Sequence, residues 1–141
     1  MHPTTRVWSC TEFPTRRDDY LDYARYRSCT VVAPRALMGY RGVPPRERIQ
    51  RIYPLGVARG ALMALREVAK QGLRLPGGLK SAAGPPAKAW ARGLAIAAIL
   101  PPKAAFSGGP AIAIPGIWHA GVERGILLVL QSTETRRKGG G

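Results

Sequence analysis

Residues 55–71, LGVARGALMALREVAKQ, carry the clearest helical pattern of the chain. At about 100° per residue, six small or apolar side chains fall on one face and three cations lie together beside them. The apolar face comprises Ala58, Ala61, Leu62, Leu65, Val68 and Ala69, and the basic edge comprises Arg59, Arg66 and Lys70. Gly72 follows as a C-cap. The pattern fits two kinds of helix: one packed on a core with a solvated charged side, or one lying in a membrane interface.

The remaining segments suggest helices first and strands afterwards, so the sequence predicts an α+β fold. We expect a short helix at 16–27, a basic linker at 34–54 and a second helix at 79–91. Three short apolar runs, 94–100, 111–114 and 125–130, are predicted as strands because of their length. The resulting organisation is an irregular or disordered N-terminal region with its linker (1–54), a small α+β segment (55–131) and a basic flexible tail (132–141).

Charge is distributed unevenly along the 141 residues, whose formal net charge is +14. Residues 24–122 contain fifteen Lys or Arg residues and two acids, Glu47 and Glu67. Such a basic middle attracts polyanions, which include nucleic acids, anionic lipid headgroups and acidic proteins. The sequence has no long uninterrupted apolar run of the kind that crosses a bilayer, and its first residues lack the apolar core of a secretory signal peptide.

Catalytic and metal-binding patterns are not recognisable in the chain. The two histidines, His2 and His119, have no nearby partners in sequence, and the serines lack a nucleophile-elbow context. Cys10 and Cys29 have no zinc-ligand spacing, and whether they pair is left open. We therefore expect a non-enzymatic protein that needs no cofactor and no metal.

Three tyrosines share a face of the predicted helix at 16–27, namely Tyr20, Tyr23 and Tyr26. Interleaved with Arg25 and Arg27, they could stack on RNA bases while the guanidinium groups hold phosphates. Alternatively, they could form a docking face against the rest of the protein. The sequence leaves both interpretations open.

Residues 87–106, AKAWARGLAIAAILPPKAAF, contain a more specific order of residues. Ala91-Arg92-Gly93-Leu94-Ala95-Ile96, followed by Lys103-Ala104-Ala105-Phe106, resembles the entry to the SYLF domain, a phosphoinositide-binding module. Gly121 to Leu130 resembles the aliphatic strand that follows in that family. The resemblance covers about residues 79–131, the first half of the domain, and implies a helix leading into a sheet.

The functional expectation is thus a peripheral membrane protein that binds phosphoinositides through a basic surface. The candidate lipid-binding or polyanion-binding residues are Arg59, Arg66, Lys70, Lys80, Lys88, Arg92 and Lys103. The alternative is an Arg-rich accessory subunit of a ribonucleoprotein or another large assembly, with RNA or acidic proteins as partners. A half-domain would expose the strand Ile126–Leu130 and self-associate through it. We expect a cytoplasmic location, with a mitochondrial one as the alternative.

Overall fold

The computed structural model describes residues 7–9, 12–38, 46–98 and 114–139, and these form helices joined by turns. The α-helices are α1 (Tyr20–Ser28), α2 (Arg46–Lys70), α3 (Pro85–Ile96) and α4 (Ile114–Gly139). Two short 3-10 helices, Arg17–Asp19 and Arg35–Met38, precede α1 and α2. The described ranges contain no β-strand, so the predicted α+β class is wrong and the fold is all-helical.

The long helices α2 and α4 form the most extensive contact of the fold. Each carries two glycines four residues apart, Gly56 and Gly60 in α2 and Gly121 and Gly125 in α4, and these glycines lie at the crossing. A Cβ on Gly56 would be 3.0 Å from the Cα of Gly121, and a Cβ on Gly121 would be 3.1 Å from the Cα of Gly56. The two backbones approach this closely because no side chain stands between them.

Branched aliphatic side chains fill the core on both sides of this crossing. From α2 the fully buried ones include Ile49, Ile52, Val57, Leu65 and Val68, and from α4 they include Ile117, Val122, Ile126, Val129 and Leu130. The helix α1 packs mainly against α2, whereas α3 packs against α4. The buried side of α3 is a row of alanines at four-residue spacing, Ala87, Ala91 and Ala95, so α3 lies close to its neighbour.

The tyrosines of α1 form a docking face. Tyr20 and Tyr23 are buried, and Tyr26 is half-buried. The Tyr23 ring meets Trp8 edge-on at a centroid distance of 5.2 Å and lies 5.9 Å from the ring of Phe13. These rings hold the N-terminal segment against the bundle, and the two buried tyrosines cannot serve as an open platform for RNA bases.

The predicted strand 125–130 lies in the middle of α4. The sequence predicts a strand here because a short apolar run suits a buried strand. Ile126, Val129 and Leu130 are fully buried and Leu128 is 9% exposed, since α4 contacts α1, α2 and α3. A helix covered on several sides is apolar around much of its circumference. Self-association through Ile126–Leu130 was predicted to need an exposed strand edge. Because this segment is helical, it has no such edge.

The other two predicted strands are also corrected where the structure describes them. Residues 94–96 end α3, and 97–98 form a turn. Ile114 is the first residue of α4. Residues 99–100 and 111–113 lie outside the described ranges. The sheet implied by the SYLF resemblance is thus not found in the described residues, although the resemblance itself stays a prediction.

The observed helix boundaries differ from the predicted ones because the prediction treats prolines as breaks in a helix. The helix α2 begins at Arg46 and contains Pro54, so residues 46–54 belong to it and not to a linker. Pro85 and Pro86 open α3, since a proline in the first turn lacks only an N–H that would be unpaired there anyway. The predicted boundaries between segments, after residue 54 and after residue 131, fall inside α2 and inside α4. The short helix predicted at 16–27 is confirmed as a 3-10 turn followed by α1.

Both α2 and α4 are long, with 25 and 26 residues. Charged and polar residues interrupt them, and among the described residues no helix combines the length and the apolarity needed to cross a membrane.

Candidate anion-binding surface

The exposed side of α2 carries alternating basic and apolar residues. Counting along the helix by three or four residues gives Arg51, Leu55, Arg59, Leu62, Arg66 and Lys70, all exposed except the half-buried Leu62. Residues at this spacing lie one above the other on a helix. These six residues therefore form one stripe, in which the basic edge predicted from the sequence lies next to two leucines. The stripe borders two grooves.

The first, which we call the apolar groove, lies between α1 and α2 and has a volume of about 710 Å³. Its walls are largely hydrocarbon, contributed by Leu21, Pro54, Leu55, Ala58 and Leu62. Three arginines, Arg25, Arg51 and Arg59, also line it, together with Ser28 and Cys29. Leu21 and Leu55 are 46% and 41% exposed, so the hydrocarbon of the groove is open to water.

The second, which we call the basic groove, lies beside the 3-10 helix Arg17–Asp19, α2 and the end of α3, and has a volume of about 520 Å³. Its cations are Arg17, Arg59, Arg66 and Lys70, and its one acidic lining residue is Glu67. Tyr20, Met63, Ala69, Leu94 and Ala97 complete the lining. Arg59 lines both grooves, so the two are neighbours along α2.

Few of these cations are neutralised by carboxylates. The Glu67 Oε1 atom is 3.3 Å from Lys70 Nζ, and this lysine is 68% exposed. Exposed pairs of this kind are weak and leave the ammonium free to contact a further anion. The surplus of positive charge in the basic groove thus resides mainly on three guanidinium groups, which suit planar, bidentate contacts to phosphate.

The structure groups some of the predicted binding residues and separates others. Arg59, Arg66 and Lys70 line the basic groove together. Lys80, Lys88 and Arg92 are exposed but line neither groove, and the Nε atom of Arg92 donates to Glu123 Oε1 at 3.0 Å. Lys103 lies outside the described residues.

Three further arginines line the grooves, namely Arg17, Arg25 and Arg51. The sequence offered Arg25 only as a contact to RNA phosphates, and it offered no binding role for Arg17 and Arg51. Arg51 could have been found by extending the helical stripe upstream of Leu55 by one turn, had Pro54 not been read as its end. Arg17 and Arg25 belong to an adjacent part of the chain that folds over α2, so only the tertiary arrangement brings them there.

Two groups with shifted pKa values lie away from the grooves. The pKa of the Glu134 carboxyl is lowered, chiefly because its Oε2 accepts a 2.7 Å hydrogen bond from the backbone N–H of Ala82 and also because Lys138 lies beside it. The pKa of the Tyr53 hydroxyl is raised by burial, against a smaller opposite effect of Arg124. Neither residue lines a groove, and the Glu134 carboxylate joins α4 to the segment at Ala82.

Metal-ligand residue types and cysteines can be located in the part of the chain that the structure describes. No group of three or more His, Cys, Asp or Glu residues there could hold a metal ion. Cys29 is a free and exposed thiol on the apolar groove, and Cys10 lies outside the described residues.

Comparison with family models, with curated proteins and with solved structures finds no match to this chain. Functional assignment therefore depends on the residues of the two grooves.

Proposed function

We propose that this protein is a non-enzymatic binding protein that associates peripherally with anionic membranes, and that its basic groove contacts lipid phosphates. The observation that carries this proposal is the group of four cations around one open groove, Arg17, Arg59, Arg66 and Lys70. Among the described lining residues, only Glu67 is acidic. Each Lys or Arg near an anionic membrane surface contributes about 1 kcal/mol. Several acting together are enough for reversible attachment.

An exposed apolar side chain at the end of α3 favours a membrane over other polyanions. Ile96, the last residue of α3, is 72% exposed and does not line the basic groove itself, whereas Leu94 and Ala97 from the same end of the helix do. A branched aliphatic side chain in that position can enter the boundary between headgroups and acyl chains while the guanidinium groups contact phosphates. Phosphoinositides are the preferred headgroup in this proposal because of the SYLF resemblance.

RNA is the competing partner. It shares the phosphate chemistry, but two of the three tyrosines that could stack on its bases, Tyr20 and Tyr23, are buried. Binding to RNA through phosphates alone would show a steep dependence on salt. Binding to a membrane with apolar insertion would be released by salt only in part.

Liposome flotation tests the proposal. The full chain should float with phosphatidylcholine vesicles that contain a phosphoinositide, less with vesicles matched in charge by phosphatidylserine, and not with phosphatidylcholine alone. The double variant Arg59→Gln, Arg66→Gln should lose most of this binding. The matched control Arg35→Gln, Arg137→Gln removes the same charge from two exposed positions outside the grooves and should retain it.

Three outcomes would contradict the proposal. Equal flotation with neutral and anionic vesicles would show that charge is not recognised. Equal loss in both double variants would show that net charge, and not the groove, is responsible. Tight RNA binding that vesicles cannot compete away would favour the ribonucleoprotein alternative.

A further inference from the structure

The apolar groove leaves hydrocarbon open to water although the rest of the aliphatic core is closed. Leu21 on α1 and Leu55 on α2 are 46% and 41% exposed and contribute to opposite walls. Pro54, Ala58 and Leu62 continue the lining along α2. From Arg51 to Leu62 the α2 axis advances about 16 Å, so the groove is long compared with a single side chain. Its volume of about 710 Å³ lies within the ordinary range of small-molecule sites.

Among the described residues, the charged groups that line this groove are all cations. They are Arg25, Arg51 and Arg59, and no described carboxylate lines it. Arg25 follows Leu21 by one helical turn on α1, just as Arg59 follows Leu55 on α2. Each wall thus places a guanidinium group one turn from a leucine, and on α2 Arg51 and Arg59 lie on either side of Leu55. An apolar chain on the leucines can therefore place an anionic head on an arginine.

Other occupants fit this lining less well. A second copy of the chain would bring a surface of the same sign, since the net charge is +14. A nucleic acid would find phosphate contacts but no aromatic side chain in the groove on which to stack. A cationic or neutral apolar ligand would leave three guanidinium groups without a partner.

We propose that the apolar groove binds one single-chain anionic amphiphile, such as a long-chain fatty acid, with the chain along Leu21, Leu55 and Leu62 and the head among the arginines. This goes beyond membrane attachment, because the ligand is a dissolved monomer and the site is a different groove. Arg59 borders both grooves and is therefore left unchanged in the test.

Laurate, kept below its critical micelle concentration in vesicle-free buffer, is the probe. Calorimetric titration of the full chain should give saturable binding at one site. Dodecyltrimethylammonium, which has the same chain length and the opposite charge, should bind at least tenfold more weakly. In a Cys10→Ser background, laurate should also slow the reaction of Cys29 with a thiol reagent, because Cys29 lines the groove.

Variants separate this site from the basic groove. Ala58→Phe fills the apolar groove at a half-buried position, and Leu55→Ser removes an exposed part of its wall. Either should weaken laurate binding at least tenfold and leave vesicle flotation unchanged. The double variant Arg25→Gln, Arg51→Gln should weaken laurate binding similarly, whereas Arg35→Gln, Arg137→Gln should not. Far-ultraviolet circular dichroism and urea midpoints verify that each variant is folded.

The same protein samples distinguish the two proposals. Arg66→Gln with Lys70→Gln should reduce flotation and leave laurate binding intact. Absence of saturable laurate binding, or equal affinity for the cationic amphiphile, would overturn the apolar-groove site whatever the vesicles show. Laurate binding that persists in folded Ala58→Phe and Leu55→Ser would place the ligand elsewhere and overturn it as well.

Discussion

The Cα atom of Gly60 in α2 lies against the carbonyl group of Val122 in α4. A Cβ at Gly60 would be 2.7 Å from the Val122 carbonyl carbon and closer still to its oxygen. Reciprocally, a Cβ at Gly125 would be 2.7 Å from the backbone nitrogen of Ala61. Both obstacles are backbone atoms, which cannot turn aside as the end of a flexible side chain can. The crossing of α2 and α4 thus depends on glycine at these positions.

Gly60→Ala should destabilise the fold by about 1–3 kcal/mol or more, because the added methyl forces the two backbones apart. Gly93→Ala is the matched control, since Gly93 also lies in a helix and a Cβ there meets nothing within 4 Å. Alanine is the better helix former by about 1 kcal/mol, so the control should be stabilised. Urea unfolding followed by circular dichroism measures both. Equal stability of the two variants would refute the close crossing.

Leu65→Ala and Leu62→Ala should show whether α2 is a core-packed helix or one that lies in a membrane interface. Leu65 is 1% exposed, so its truncation should cost about 2–5 kcal/mol of unfolding free energy. Leu62 is half-buried on the apolar groove, so its truncation should cost less and should mainly weaken laurate binding. Thermal melts and the laurate titration measure the two effects. A larger loss of stability for Leu62→Ala would contradict the observed orientation of α2.

Leu128→Lys should unfold the protein or strongly destabilise it. A sequence-based strand at 125–130 would have led us to expect more monomer from this change, whereas the structure places Leu128 in α4 with 9% exposure. Burying an unpaired ammonium is among the costliest single substitutions. Gln131→Lys, at an exposed position of the same helix, is the control and should melt like the parent. Thermal melts measure the stability of each variant, and light scattering measures its monomer fraction. A stable Leu128→Lys variant with a higher monomer fraction would contradict the prediction.

The Glu134 carboxylate should make stability depend on pH in the acid range. Because its folded pKa lies below the ordinary value of 4.5, the unfolded chain takes up the proton first as pH falls. The stabilisation is therefore complete well above pH 4.5 and is lost as pH falls through 4.5 and then through the folded pKa. Glu134→Gln should be less stable than the parent at pH 7, and the difference should shrink on acidification.

Glu123→Gln is the control for Glu134→Gln. Glu123 pairs with Arg92, whose side chain is 73% exposed, and exposed ion pairs contribute little to stability. Urea midpoints at several pH values should show almost no difference from the parent at pH 7. A constant difference between Glu134→Gln and the parent across the acid range would show that the bond to Ala82 does not depend on the charge.

The sequence alone was enough to predict the core of α2, the short helix at α1 and the basic edge of Arg59, Arg66 and Lys70, because helical periodicity and charge are local properties. The sequence did not predict that α2 continues through Pro54 or that α3 begins at Pro85. A proline can lie inside a helix or open one, and which occurs depends on what covers the helix. For the same reason, the extent of α2 and the location of Arg51 could not be predicted.

Only the tertiary structure decided that 125–130 is helical and that two grooves exist. A short apolar run suits a buried strand and a buried helix equally well, and here the closeness of Gly60 to Val122 and the cover from α1 and α3 favour the helix. Arg17 and Arg25 reach α2 from another part of the chain. Sequence determined that the chain is strongly basic. Packing between distant segments determined where its positive charge is concentrated and which hydrocarbon lies beside it.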